Sequence, residues 1–194
     1  MKTLAISTRT ICGIEELPSH GAAGVTHVLS ITDPGMPDLA AFGAYGNIRR
    51  TSLQFHDEID PMPGVVMPSP THIEAILRFG QDMDEQAEEG VDGHLLVHCH
   101  MGISRSTAAM VTLMAQAEPD DDEDALFERL RAVRLQAWPN SVMIAMADEM
   151  LGRSARLSSA LRRHYAHQIA HQPDLVRMIE SVGRRREIEM AEQA

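Results

Sequence analysis

Between residues 98 and 106 the chain reads His98-Cys99-His100-Met101-Gly102-Ile103-Ser104-Arg105-Ser106, and here residue types and spacing could do chemistry. A cysteine becomes a nucleophile when its thiol ionises, and helix N-termini or nearby cations favour that ionisation. Peptide N–H groups of a short loop running into a helix form a cradle for anions. Arg105 adds a planar fork of donors able to hold two oxygens of one phosphate. A thiolate beside an oxyanion site, within one turn of chain, is equipment for covalent catalysis on an anionic ester. Taken singly, each residue has a bland reading. A free cysteine is most often a small buried hydrophobe, which is the reading given to Cys12; Gly102 serves as a turn residue and Arg105 as a surface ion-pair partner. The ordered combination of strand, Cys99, Gly102, Arg105 six positions after the cysteine, Ser106 and helix argues for the chemical reading. Zinc is disfavoured, because three adjacent side chains at a strand end diverge and no other Cys/His group completes four ligands. No metal or cofactor is expected.

The elements that must position this loop follow from periodicity. Gly93–His98 is a short apolar run bounded by glycine, as in a strand buried on both faces. Gly24–Ile31 ends in the turn signal Thr32-Asp33-Pro34-Gly35 and reads as a second strand. Leu4–Ser7 and Thr51–Phe55 are weaker strands. Helices are expected over Pro70–Glu89, with Ser69 as N-cap, and over Ser106–Gln116, Asp122–Arg134 and Asn140–Leu151. The acidic run Glu118–Asp124 is read as a helix entrance, since acids at a helix start favour its dipole. Strands alternating with helices imply an α/β fold with a mostly parallel sheet. Beyond Leu151-Gly152 the chain reads as two helices, Ser154–Ala170 and Pro173–Met190. This divides the chain into an α/β domain at 1–152 and a helical C-terminal extension at 153–194. The apolar stripe Leu157, Leu161, Tyr165 and Ile169 suits packing on the domain or on a second copy, giving a homodimer through these helices. Arg184-Arg185-Arg186 reads as a solvated end that can meet an acidic surface, the chain's own included.

Composition narrows the class. The 194 residues carry a net charge of −11, with pI near 5.3 and two cysteines. Two cysteines cannot build a disulfide scaffold, and as free thiols they imply a reducing, cytoplasmic setting. The N-terminus lacks the apolar run of a secretory signal. No stretch approaches the roughly 20 apolar residues that span a membrane. The acidity argues against nucleic acid as a partner. It also requires any anion pocket to supply its own positive potential. The charge is uneven, −14 over residues 1–150 and +3 over 151–194.

His98-Cys99, five residues, then Arg105-Ser106 resembles the signature loop of cysteine-dependent protein tyrosine phosphatases, most closely the dual-specificity branch. Arg131-Ala132-Val133-Arg134-Leu135-Gln136-Ala137-Trp138-Pro139-Asn140 resembles the segment after the signature helix there, with Leu135 where the family usually has proline. The resemblance covers roughly residues 20–152. It implies a short, mostly parallel sheet flanked by helices, and hydrolysis of phosphomonoesters through a cysteinyl phosphate. The substrates implied are phosphotyrosine in a phosphorylated protein or a small aryl phosphate, with phosphoserine and phosphothreonine as further ones. Cys99 is then the nucleophile, and Arg105 with the backbone of His100, Met101, Gly102, Ile103 and Ser104 binds phosphate. Ser106 donates a hydrogen bond to the sulfur, and His98 orients the loop. An aspartate on an upstream loop acts as acid and then base: Asp57 first, directly after a short strand, with Asp60 as competitor. The proline-rich stretch Pro61–Pro70 is expected to wall the cleft, and Asn140 to brace the acid loop or the signature loop. Residues 100–104 lack the lysines with which lipid phosphatases of this superfamily meet several phosphates, which disfavours inositol lipids. Sulfurtransferases and arsenate reductases use related Cys-to-Arg loops and stay open as alternatives, as does a non-catalytic phosphate-binding module.

Overall fold

Four strands lie side by side, all pairs parallel, in a computed structural model that describes residues 6–85 and 93–192. They are β1 (Ile6–Cys12), β2 (His27–Thr32), β3 (Arg49–Gln54) and β4 (Gly93–His98), in the order β1-β4-β2-β3. β4 is central and buried throughout, as its apolar run dictates. His98 pairs with Cys12 on one side and Ser30 on the other, so β1 and β4 end level while β2 runs two residues further, and all open at one edge. Ligands gather at such carboxyl ends of parallel sheets. β1 runs further than expected, to Cys12; Leu4 and Ala5 of the expected strand lie outside the described residues. It is an edge strand with exposed positions, so it needs no continuous apolar run.

The helices are α1 (Leu17–His20), α2 (Pro70–Glu85), α3 (Arg105–Ala117), α4 (Glu123–Val133), α5 (Ser141–Met150), α6 (Arg156–His171), α7 (Pro173–Ser181) and α8 (Arg185–Ala191). Residues 86–89 of the helix expected over Pro70–Glu89 lie outside the described residues. α3 follows the signature loop and is buried from Arg105 to Ala115, which accounts for its apolar character on most sides. Asp122 caps α4 by accepting from Asp124 N (2.9 Å) and Ala125 N (3.3 Å), so the acidic run is a helix entrance. Asn140 caps α5 in the same way.

The C-terminal helices share the core of the α/β unit. Leu157, Leu161, Tyr165, Leu175 and Ile179 are buried in one cluster with Leu29, Val97, Phe127 and Trp138. Tyr165 stacks on Trp138 at 4.5 Å. Buried Arg153 ties the start of this region to the α3–α4 link, through Glu123 Oε1 (2.9 Å) and Ala115 O (2.6 Å). The stripe that suggested a second copy is thus used within a single chain. One long helix was expected over 173–190, and the chain instead breaks it after Ser181. Gly183 has φ +81°, its N–H reaches Glu180 O (3.1 Å), and Arg184 N–H reaches back to Ile179 O (3.2 Å). This is a Schellman C-cap with glycine at the left-handed position, and it turns Arg184 away from the helix. No helix among the described residues is long and apolar enough to cross a membrane.

Candidate active site

β4 delivers Cys99 to the sheet edge, 2 % exposed, at the base of a pocket of about 320 Å³. The loop that follows is held from outside by its carbonyls. His100 O accepts from Ile14 N (2.9 Å), and Met101 O and Gly102 O accept from Arg134 (3.0 and 3.1 Å). Ile103 O accepts from Trp138 N (2.8 Å), and Ser104 O from Ala108 N (2.9 Å). Five successive carbonyls turned outward leave the peptide N–H groups on the concave side. Among the described residues, no protein acceptor meets the N–H groups of residues 100–105. Such an arrangement can receive an anion, with the start of α3 behind it.

Two glycines make this path possible. Gly102 has φ +68°, and a Cβ there would lie 2.4 Å from the carbonyl carbon of Cys12. A Cβ on Gly13 would lie 2.8 Å from His100 O. Arg134 couples the loop to the end of β1: besides the two carbonyls it holds Glu16 through both carboxylate oxygens (2.8 Å each), and Glu16 accepts from Gly13 N (2.6 Å). Arg134 lay within the second resembling stretch, but its spacing could not show what it would grasp.

The Cys99 sulfur lies 3.2 Å from Ser106 Oγ. Arg105 is buried, and its Nη1 donates to Asp33 Oδ1 (2.6 Å) and to Phe55 O (2.5 Å). Its Nε is buried without a protein partner, a charged donor left for an anion. Asp33 was read as a turn residue, yet the turn ends β2 at the same sheet edge, and that shared edge was the available signal. His98 is fully buried, its Nε2 2.7 Å from Ser30 Oγ. Burial pushes its pKa down to about 4, so the ring is neutral near pH 7.

Asp57 faces the pocket with one oxygen fully engaged. Asp57 Oδ1 accepts from Ser104 Oγ (2.7 Å), Asn140 Nδ2 (3.0 Å) and Arg184 Nη1 (3.2 Å). Asn140 also donates to Glu58 O (3.3 Å), so it ties Asp57 and Glu58 to the start of α5. Asp60 stands apart from the pocket lining, half exposed and paired with Arg186 (2.7 Å). Cys99, Arg105, Ser106, Asp57 and the 100–104 loop thus come together, with His98 and Asn140 behind them, while Asp60 does not join them. The expected proline wall is also absent from the lining: His56, Asp57 and Glu58 form that side. The lining also includes Met178, Ile179, Val182 and Arg184. Of the arginine run, Arg184 is therefore a pocket residue, 3 % exposed, and only Gly183 before it hinted at a turn. Cys12 is held inert, as burial, followed by the nearby Glu16 charge, pushes its thiol up to about 12.

No protein-family model matches this sequence, and no curated protein does. Solved structures do. Human DUSP28 is 15 % identical, over 77 % of this chain and 95 % of that one, with a TM-score of 0.56. Human tyrosine phosphatase-like serine/threonine/tyrosine-interacting protein is 18 % identical over 77 % of this chain and 95 % of that one, TM-score 0.55. DUSP15 is 21 % identical over 84 % and 93 %, TM-score 0.52. At these identities the likeness speaks for architecture: the chain has the α/β fold of the dual-specificity phosphatases.

Proposed function

We propose that this protein hydrolyses phosphomonoesters, phosphotyrosine or an aryl phosphate first, through a phosphocysteine at Cys99. The observation that carries the reading is the row of outward carbonyls from His100 to Ser104, which leaves a ring of N–H groups above a buried cysteine. Arg105 completes the cradle with its unpartnered Nε. In the first step Cys99 Sγ attacks phosphorus. The S–P bond forms as the P–O ester bond breaks, and the leaving oxygen keeps that bond's electron pair and takes a proton from Asp57. In the second step a water returns a proton to Asp57 while its oxygen bonds phosphorus. The S–P bond then breaks, releasing inorganic phosphate and the thiolate, which the Ser106 hydroxyl stabilises.

The rim carries Asp33 and Glu58, which favours a single phosphate on an otherwise uncharged or cationic body over a polyphosphorylated lipid. The inert Cys12 is a poor relay thiol, which weighs against sulfur or arsenic transfer. A reducing, cytoplasmic setting belongs to the same reading, since both thiols are free. Release of phosphate from p-nitrophenyl phosphate tests it. The wild type should turn over and be inhibited by vanadate, and Cys99→Ser should bind phosphate without turnover. Full activity in Cys99→Ser refutes the covalent route. Turnover of thiosulfate or arsenate without phosphatase activity selects the sulfur or arsenic alternative, and phosphate binding without turnover in the wild type selects a binding module.

A further inference from the structure

We propose that Arg184, carried into the pocket by the α7–α8 turn, is a positioning residue that aims the Asp57 carboxyl at the leaving oxygen. The inference rests on the phosphatase reading above and adds a part drawn from the C-terminal helices. Both terminal nitrogens of Arg184 are engaged within the protein, and only its buried Nε lacks a partner. Its Nη1 is engaged by Asp57 Oδ1 (3.2 Å) and Ser104 Oγ (2.5 Å), and its Nη2 by Glu187 (2.7 Å). It is buried, and its partner Glu187 is fully buried.

The geometry makes a continuous support. Glu187 accepts from Ser141 N (2.8 Å), from Trp138 Nε1 (2.8 Å) and from Arg184, which anchors it to the start of α5 and to the core. Arg184 spans from that anchor to Asp57. Ser104, within the phosphate loop, links the two by donating to Asp57 Oδ1 and accepting from Arg184. All three donors on Asp57 converge on Oδ1, so they fix the carboxyl's rotation and leave Oδ2 as the oxygen that exchanges the proton. The acid is thereby tied to the loop that holds the phosphorus. Proton transfer requires hydrogen-bond reach, and a misplacement of about 1 Å can cost about 10²-fold in rate. Met178 and Ile179 of α7 and Val182 at its C-cap also line the pocket, just before the turn that presents Arg184.

The test is kcat/KM of the full chain on phenyl, p-nitrophenyl and 2,4-dinitrophenyl phosphate, whose leaving groups need protonation to a decreasing degree. Arg184→Met should lose about 10²-fold on phenyl phosphate and change little on the dinitrophenyl ester. In an Asp57→Asn background the same substitution should cause no further loss, because the group it aims is gone. A structural role would instead reduce all three substrates alike and add to Asp57→Asn, and either result overturns the inference. Removing one member of a buried ion pair can unfold a protein. Arg184→Lys keeps the charge while its compact ammonium cannot bridge Asp57, Ser104 and Glu187 together, so it should show the same leaving-group pattern at smaller size. A uniform loss or none in Arg184→Lys also refutes the proposal. If the wild type hydrolyses none of the three esters, the phosphatase reading itself fails; wild-type turnover with a leaving-group-independent loss removes only the role of Arg184.

Discussion

Replacing Gly102 by alanine puts two separate costs on the phosphate loop. The first is conformational: at φ +68° a Cβ crowds its own carbonyl, which costs about 1–2 kcal/mol. The second is steric, since the new Cβ would sit 2.4 Å from Cys12 C and 2.7 Å from both Cys12 O and Gly13 N. Those are backbone atoms at the end of β1, clamped by Glu16 and Arg134, so they cannot swing aside as a flexible side chain would. The loop itself must lift away from β1. At about 2–4 °C per kcal/mol for a chain of this size, the conformational term alone lowers Tm by about 2–8 °C. The displaced N–H groups should cost about 10²-fold in kcat/KM on p-nitrophenyl phosphate. Gly102→Asn separates the two terms, because asparagine tolerates the left-handed region but carries the same Cβ. It should recover part of the stability and little of the activity. Tm by differential scanning calorimetry and vanadate affinity read the two effects. An alanine variant with wild-type Tm, turnover and vanadate binding would refute both the path assigned to the loop and the packing beneath it.

Asp57→Asn should slow turnover of phenyl phosphate by about 10²–10⁴-fold, the usual worth of acid–base catalysis, whereas Asp60→Asn should stay near wild type because Asp60 lies outside the pocket lining, paired with Arg186; the reverse ranking in steady-state kinetics exchanges their roles. Stability should fall as pH drops from 6.5 toward 4. His164 is pushed down to about 3, chiefly by burial, and geometry agrees: its Nδ1 faces an Arg131 donor (3.0 Å) while its Nε2 faces Ala137 O (2.9 Å). His98, at about 4, adds to it. Both folded values lie below the ordinary 6.5, so the unfolded chain binds more protons and the stability they contribute is present above pH 6.5 and lost as pH falls through that window. Tm measured at pH 7 and pH 5 should show the drop, His164→Gln should flatten it, and an unchanged slope in that variant contradicts the neutral, buried ring.

Much of the architecture was legible because its causes are local. β4, the loop and α3 are consecutive in the chain, so their apolar pattern and the Cys99–Arg105 spacing describe them without reference to anything distant. Asp57 and Asn140 were legible for a similar reason, one three residues after a strand and the other at a helix start. Asp33, Glu16 and Arg184 were not. Each reaches the pocket or its supports through a contact far apart in sequence: Asp33 to Arg105, Glu16 to Arg134, Arg184 to Asp57. An aspartate in a turn, a glutamate after a glycine and an arginine in a charged run look the same whether solvated or engaged. The division at residue 152 followed a real change in charge and texture, but the helices beyond it close over the same core.

By itself, the sequence determined a parallel α/β frame and a loop that joins a thiol, a guanidinium and a helix start within nine residues. These depend on periodicity and spacing, which act between neighbours along the chain. The tertiary structure decided which carboxylates line the pocket with Cys99, what holds Arg105, and that one arginine of the basic tail, Arg184, is buried in the pocket lining. Those outcomes depend on which distant charges are buried together, and a buried charge must find its partner in space, wherever along the chain that partner lies.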